Sequence, residues 1–226
     1  MTTLLEKLTH KPTGNHEMGL MIVSQPGTPG QSSLPSVRKE VQKVKEQLSV
    51  NEIPIYILDD KDGTVDLVSK DLESFTCIHL ACHASQDMKN PLKSAFHLYD
   101  GPLELSTVMK KLPYADFAFL SACQTSTGDQ RLSEEAVHLA GGMLAAGYRS
   151  IVATMWSILD IHGPFVAEKF YQSLLECRED KEEGKLNGEY AAHALHSAIQ
   201  QLKQQSEVYK MDDPLLAWVP YIHVGI

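Results

Sequence analysis

A thiol and an imidazole on neighbouring strand ends can form a nucleophile and its base, and two segments of this chain carry that pair. Thr76 to Ala81 (TCIHLA) reads as a strand and delivers Cys82-His83-Ala84-Ser85 at its end. Asp116 to Ser121 (DFAFLS) reads as another and delivers Ala122-Cys123-Gln124-Thr125. In open α/β sheets functional groups gather beyond the carboxyl ends of the strands. Adjacent strands lie ~4.8 Å apart. If these two are neighbours, His83 and Cys123 sit side by side on one rim, within the roughly 3 Å reach of a proton exchange. About forty residues separate them, including one predicted helix, enough for the crossover a parallel pair requires. A polar loop from Gln124 to Asp129 then leads toward a helix. A helix amino end and a nearby imidazolium both favour a thiolate. The plainer reading stays open here: free cysteines are often small buried hydrophobes.

The elements that must position this pair follow from periodicity. Met18 to Ser24 (MGLMIVS) is a short apolar run closed by Gln25-Pro26-Gly27, the pattern of a buried strand. Leu34 to Leu48 has apolar residues at Val37, Val41, Val44 and Leu48, a helical spacing with Pro35 near its start. Ile53 to Leu58 is a second strand, and Thr64 to Phe75 a short helix. Ser94 to Tyr99 is a strand or hairpin arm turned by Asp100-Gly101, and Ser106 is a candidate N-cap for a helix through Leu112. Ser133 caps a predicted long helix that stops at Gly147. Gly141 and Gly142 within it suggest close helix-to-sheet packing. Ser150 to Met155 is a fifth strand, Pro164 to Leu175 and Tyr190 to Gln205 are helices, and Leu216 to Val224 is a last strand that Pro220 confines to an edge. Residues 1 to 17 read as an irregular linker and 177 to 189 as a solvated insertion. Alternating strands and helices predict an α/β fold with a mostly parallel sheet covered on both faces.

Composition narrows the function. The chain has 226 residues, 43% hydrophobic, enough for one sizeable domain over residues 18–226. Its net charge of −9 repels nucleic acid phosphates and anionic membranes and suits basic peptides. No apolar run approaches the ~20 residues of a membrane helix. No secretory leader is evident, so the four cysteines read as free thiols in a reducing, cytoplasmic compartment. Cys77, His79, Cys82 and His83 crowd together, but strand alternation points Cys82 and His83 opposite ways, and no metal site is expected. Neither a GxGxxG after the first strand nor a Walker A motif is present.

Three long segments carry a resemblance. "IHLACHASQDMKNPLKSAFHLYDG", "FAFLSACQTSTGDQRLSEEAVHLAGGMLAAGYRSIVATMWSILD" and "LLAWVPYIHVG" resemble the CHAT family, in particular its fungal members. That family is related to caspases and separases. The resemblance implies a caspase-like sandwich and a cysteine endopeptidase in a signalling, defence or cell-death setting. It implies His83 and Cys123 as the dyad and His79 as a structural histidine. The oxyanion donors implied are the backbone N–H groups of Ala84 and Cys123. Most relatives have glycine where this chain has Ala84, and a methyl there is expected to crowd a substrate. Asp160 falls where separase relatives carry an acidic residue that reads a basic P1 side chain; its other reading is a solvated loop residue or the cap of the helix after it. No cofactor is implied. The partners implied are a protein or peptide substrate and an upstream repeat or NTPase module. The alternative is a catalytically weak caspase-like module that signals by binding.

Overall fold

Buried apolar runs at the starts of successive βα units pair side by side rather than in sequence. A computed structural model describes residues 17–87, 89–109, 112, 115–124, 136–156, 158–177, 185–208 and 214–226. Strand β1 (Glu17–Ser24) runs parallel to β2 (Ile55–Asp59) on one side and β3 (Phe75–Ser85) on the other. β3 runs parallel to β6 (Phe117–Gln124), and β6 parallel to β7 (Ser150–Thr154). The edge strand β8 (Tyr221–Gly225) closes the order antiparallel to β7. A hairpin of β4 (Ala95–His97) and β5 (Pro102–Glu104) attaches antiparallel to the tip of β3.

Strand alternation sends odd and even residues of β3 to different layers. Cys77 and His79 face the layer of α1 (Ser36–Val50), α5 (Gly163–Glu176) and α6 (Ala191–Val208), whose core holds Val44, Leu48, Phe170, Tyr171 and Leu202. Ile78, Leu80, Cys82 and Ala84 face the layer of α2 (Val65–Asp71), α3 (Leu105–Val108) and α4 (Ala136–Ala146), packed with Val68, Leu105 and Met143. The expected α/β sandwich is therefore the observed one. Gly147 at φ +122° ends α4 where an L side chain would be strained, as its place in the sequence suggests.

Several boundaries differ from the sequence expectation for physical reasons. β3 and β6 do not stop at Ala81 and Ser121 but continue to Ser85 and Gln124. β1 pairs with β3 only as far as Ala81, and β4 takes over that edge at His83, supplying the hydrogen-bonding partner that prolongs the strand. The last apolar run splits into a short helix, α7 (Pro214–Trp218), and β8. Pro is at home in a first helical turn, and Leu and Ala are strong helix formers. The helix expected from Ser106 is α3, a single turn whose N-cap is Glu104. Gly142 packs close to Leu105 of α3 rather than to the sheet. Glu17 belongs to β1; residues 1–16, the Ser133 cap and residues 178–184 lie outside the described residues.

Burial also sets a pH response. His162 and the edge-strand His223 are both held below the ordinary imidazole value of 6.5 by desolvation, and His223 Nε2 lies 2.7 Å from Ser150 Oγ. A folded-state pKa below the unfolded one means that the unfolded chain binds the proton first. Stability from these groups is complete above the unfolded value and is lost as pH falls through it toward the folded one. Tm should fall from pH 7.5 to 5.5, and His223→Gln should show a smaller fall over that window. Thermal melts of both proteins check this, and an equal slope contradicts it.

Candidate active site

The β3–β6 register puts His83 directly opposite Cys123. Within the same ladder His79 faces Phe119 and Ala81 faces Ser121, so positions 79, 81 and 83 of β3 share a face with 119, 121 and 123 of β6. The sequence pairing of the two candidates is thus a feature of the backbone, with both residues in the last turns of the sheet rather than in loops beyond it.

His83 is almost fully buried, and its ring is fixed by the loop between β1 and α1. The backbone carbonyl of Ser32 lies 2.7 Å from Nε2. A carbonyl only accepts, so Nε2 carries the hydrogen and Nδ1 of the neutral ring keeps its lone pair. Among the described residues Nδ1 has no hydrogen-bond partner although it is buried. Buried polar atoms are rarely left so, and those that are need a reason. On the far side of β3, His97 of β4 stands opposite His83, with Nε2 2.8 Å from Ser85 Oγ. Burial and the neighbouring His83 hold His97 below the ordinary imidazole value.

The other thiols are differently placed. Cys82 is buried in the α2–α4 layer, where desolvation pushes its thiol up to about 12. Cys77 is raised by burial as well. Both environments hold the sulfur as inert thiol. Cys82 and His83 do face opposite layers.

Ala84 corrects one expectation. Its methyl is fully buried with Cys82 and Phe96, on the face of β3 away from His83, so it does not crowd the rim where His83 sits. Its backbone is not left-handed and needs no glycine. The Ala81 carbonyl accepts from Gln25 N on the β1 side, so alternation turns the N–H of Ala84 toward β6.

Asp160 lies in a single-turn helix (Asp160–His162) between β7 and α5. It does not cap the helix that follows. Its Oδ2 accepts from the backbone N–H of Ser36 at 2.8 Å, the first residue of α1, 124 positions away in sequence. It also lines a narrow cleft with Leu34, Val37, Glu40, Ser121, Thr154, Ile158 and Gly163. That cleft lies on the face of β6 that bears Ser121, two residues before Cys123.

Beneath the cleft is a buried polar group that the sequence reading missed. His79 Nε2 lies 2.9 Å from Glu40 Oε1, and His79 Nδ1 3.0 Å from the Tyr171 hydroxyl. The imidazole also stacks on Phe119, with ring centroids 4.8 Å apart. His79 is structural in the sense expected, tying β3 to α1 and α5. A signal for Glu40 does exist in the sequence. It falls three residues after Val37 and four before Val44, on the apolar stripe of α1, where a charge has to find a partner. The Ser32 carbonyl is a backbone group and leaves no such mark.

Comparison with solved structures places this architecture. The chain is similar to the crystal structure of the Arg-specific cysteine proteinase gingipain R, with a TM-score of 0.61 and 13% identity over 99% of this chain and 51% of that one. It is similar also to the complex of Porphyromonas gingivalis RgpB pro- and mature domains, with a TM-score of 0.60 and 11% identity over 99% of this chain and 52% of that one. At these identities the likeness is one of fold, the caspase-like fold of those peptidases, and the chain spans about half their length. A comparison with curated proteins finds no match. The CHAT domain model matches residues 3–226, and the chain belongs to that family. Among the described residues no helix is long and apolar enough to cross a membrane.

The Asp160 geometry makes a direct prediction. Removing a capping carboxylate costs about 1 kcal/mol, which in a domain of this size lowers Tm by about 2–4 °C. Asp160→Ala should show that fall in a thermal melt. An unchanged Tm would contradict the cap.

Proposed function

We propose that this chain is a cysteine endopeptidase in which Cys123 is the nucleophile and His83 its general base. One observation carries the reading: a buried imidazole, locked by the Ser32 carbonyl and with its Nδ1 unpartnered among the described residues, stands at the register position opposite a cysteine. His83 Nδ1 takes the thiol proton, and the sulfur attacks a peptide carbonyl. The backbone N–H groups of Ala84 and Cys123 hold the negative oxygen. His83 then protonates the leaving amine, and water releases the acyl group from sulfur. The hydrogen bond to Ser32 steadies the ring in both protonation states, because Nε2 donates throughout.

The strand tips set a condition on this chemistry. A parallel ladder in the observed register directs the Ala84 N–H at the carbonyl of residue 123, and the residue 123 N–H at the carbonyl of Cys82. Both donors serve an oxyanion only when the tips of β3 and β6 part around the substrate. This pairing is also what favours a second reading, a catalytically weak module that signals by binding. The cleft beside Ser121, with Asp160 on its wall, supports a basic residue at P1. The four cysteines, read as free thiols, extend the proposal to a cytoplasmic setting, and the family resemblance adds an upstream repeat or NTPase module as activator and a role in signalling, defence or cell death.

Peptide cleavage separates the two readings. Cys123→Ala and His83→Ala should each abolish cleavage of a peptide library while the melting profile stays cooperative. Cys82→Ala and Cys177→Ala should keep most of the activity. Product N-termini identified by mass spectrometry check it; cleavage by Cys123→Ala at the wild-type rate would remove the nucleophile assignment, and silence of the wild type would favour the binding module.

A further inference from the structure

The cleft that Asp160 borders has a floor, and the floor is Glu40. The Glu40 side chain is 3% exposed. One carboxylate oxygen, Oε1, is held by His79 Nε2. Tyr171 is fully buried and desolvation pushes its hydroxyl well above the ordinary tyrosine value, so it keeps its proton and can donate to His79 Nδ1. A carboxylate only accepts, so His79 Nε2 donates to Glu40 Oε1 while Nδ1 meets the Tyr171 hydroxyl, and the column Tyr171–His79–Glu40 ends at the cleft. The second oxygen, Oε2, is the one turned toward Gly163. A Cβ at residue 163 would stand 2.6 Å from Oε2 and 3.6 Å from Ser121 Oγ, so glycine is what leaves this oxygen its space. Among the described residues Oε2 has no hydrogen-bonding side chain of its own.

The rest of the cleft has one chemical character. Leu34, Val37 and Ile158 make apolar walls, Ser121 and Thr154 bring hydroxyls, and Asp160 adds a second carboxylate. Among the described residues no lysine, arginine or histidine lines it. Asp160 Oδ2 is already engaged with Ser36 N, whereas Glu40 Oε2 faces inward. A long side chain with an apolar stem and a cationic head matches apolar walls around a buried carboxylate, since such stems bury well while the head needs acceptors. The cleft is narrow, with room for about one water-sized group. Entry therefore widens it.

We propose that Glu40 is the specificity-determining acceptor for a cationic P1 side chain, Lys or Arg, at the floor of the cleft between α1, β6 and the β7–α5 connection. This rests on the peptidase reading above. Asp160 then shapes the wall and holds α1 in place, and Glu40 receives the charge.

The test uses the whole chain and tripeptidyl chloromethyl ketones that differ only in carrying Arg or its neutral isostere citrulline at P1. The rate of Cys123 modification is read by mass spectrometry, with iodoacetamide as a reagent that has no P1 group. Wild type should react with the Arg probe about tenfold faster or more, the scale of one charge-assisted hydrogen bond in a buried site. Glu40→Gln should lose most of that preference, and Asp160→Asn should keep the larger part. If Glu40→Gln fails to fold, Gly163→Ala replaces it, because its new methyl presses on Oε2 and should lower the preference with the carboxylate still present. Equal rates for the two probes in wild type, or an undiminished preference in Glu40→Gln, overturn the assignment. When iodoacetamide modifies Cys123 in a His83-dependent way and the peptide probes do not discriminate, Glu40 fails alone. When no reagent modifies Cys123 in wild type, the peptidase reading fails and takes this one with it.

Discussion

The pairing of β3 with β6 is the constraint on which everything at the rim depends. A parallel ladder fixes residues in pairs at strand spacing, and its period of two fixes which of them share a face. One step of slip would set His83 against Ala122 or Gln124. The register is held by buried residues far from the rim. Phe117 and Phe119 pack on Phe170 and Tyr171 in one layer, while Ala118 and Leu120 pack in the other. Apolar burial on both faces of a central strand leaves it a single register.

A second constraint ties the sheet to the helices packed on it. Glu40, His79 and Tyr171 come from α1, β3 and α5, and their hydrogen bonds tie those three elements beneath the cleft. Burying a carboxylate is costly unless its oxygens find donors. Here the imidazole supplies one, and the arrangement positions α1 against the sheet. The loop before α1 carries Ser32, whose carbonyl holds the His83 ring. Asp160 secures the amino end of the same helix from the β7–α5 connection. The orientation of the candidate base thus depends on contacts made by residues that themselves do no chemistry.

Much of this was legible in the sequence because it is periodic. The apolar runs at Met18–Ser24, Thr76–Ala81 and Asp116–Ser121 announce buried strands, and alternation alone separates Cys82 from His83. The facing of His83 and Cys123 follows once the two strands are neighbours. Other features depend on partners distant in sequence. The tip of β3 is prolonged by β4, which no pattern within β3 reveals. One of the readings open for Asp160 in the sequence is a cap of the helix after it, because caps are usually local, and its actual partner, Ser36, is brought to it by the fold. Ala84 looks obstructive when compared with a family glycine, yet the pleat carries its methyl into the core. Glu40 was visible as a charge on an apolar stripe, but its meaning required His79 to be seen on the other side.

The central claim is that His83 and Cys123 act as one acid–base unit, and the pH dependence of Cys123 alkylation addresses it without a substrate. Iodoacetamide reacts with the thiolate, so its rate at Cys123, followed peptide by peptide in the native chain, titrates that thiol. A free thiol titrates near about 8.5, and one beside an imidazolium well below that. The account predicts a titration displaced below the free value in wild type that returns toward it in His83→Ala. A Cys123 that titrates at or above the free value, and does so equally in both proteins, would contradict it.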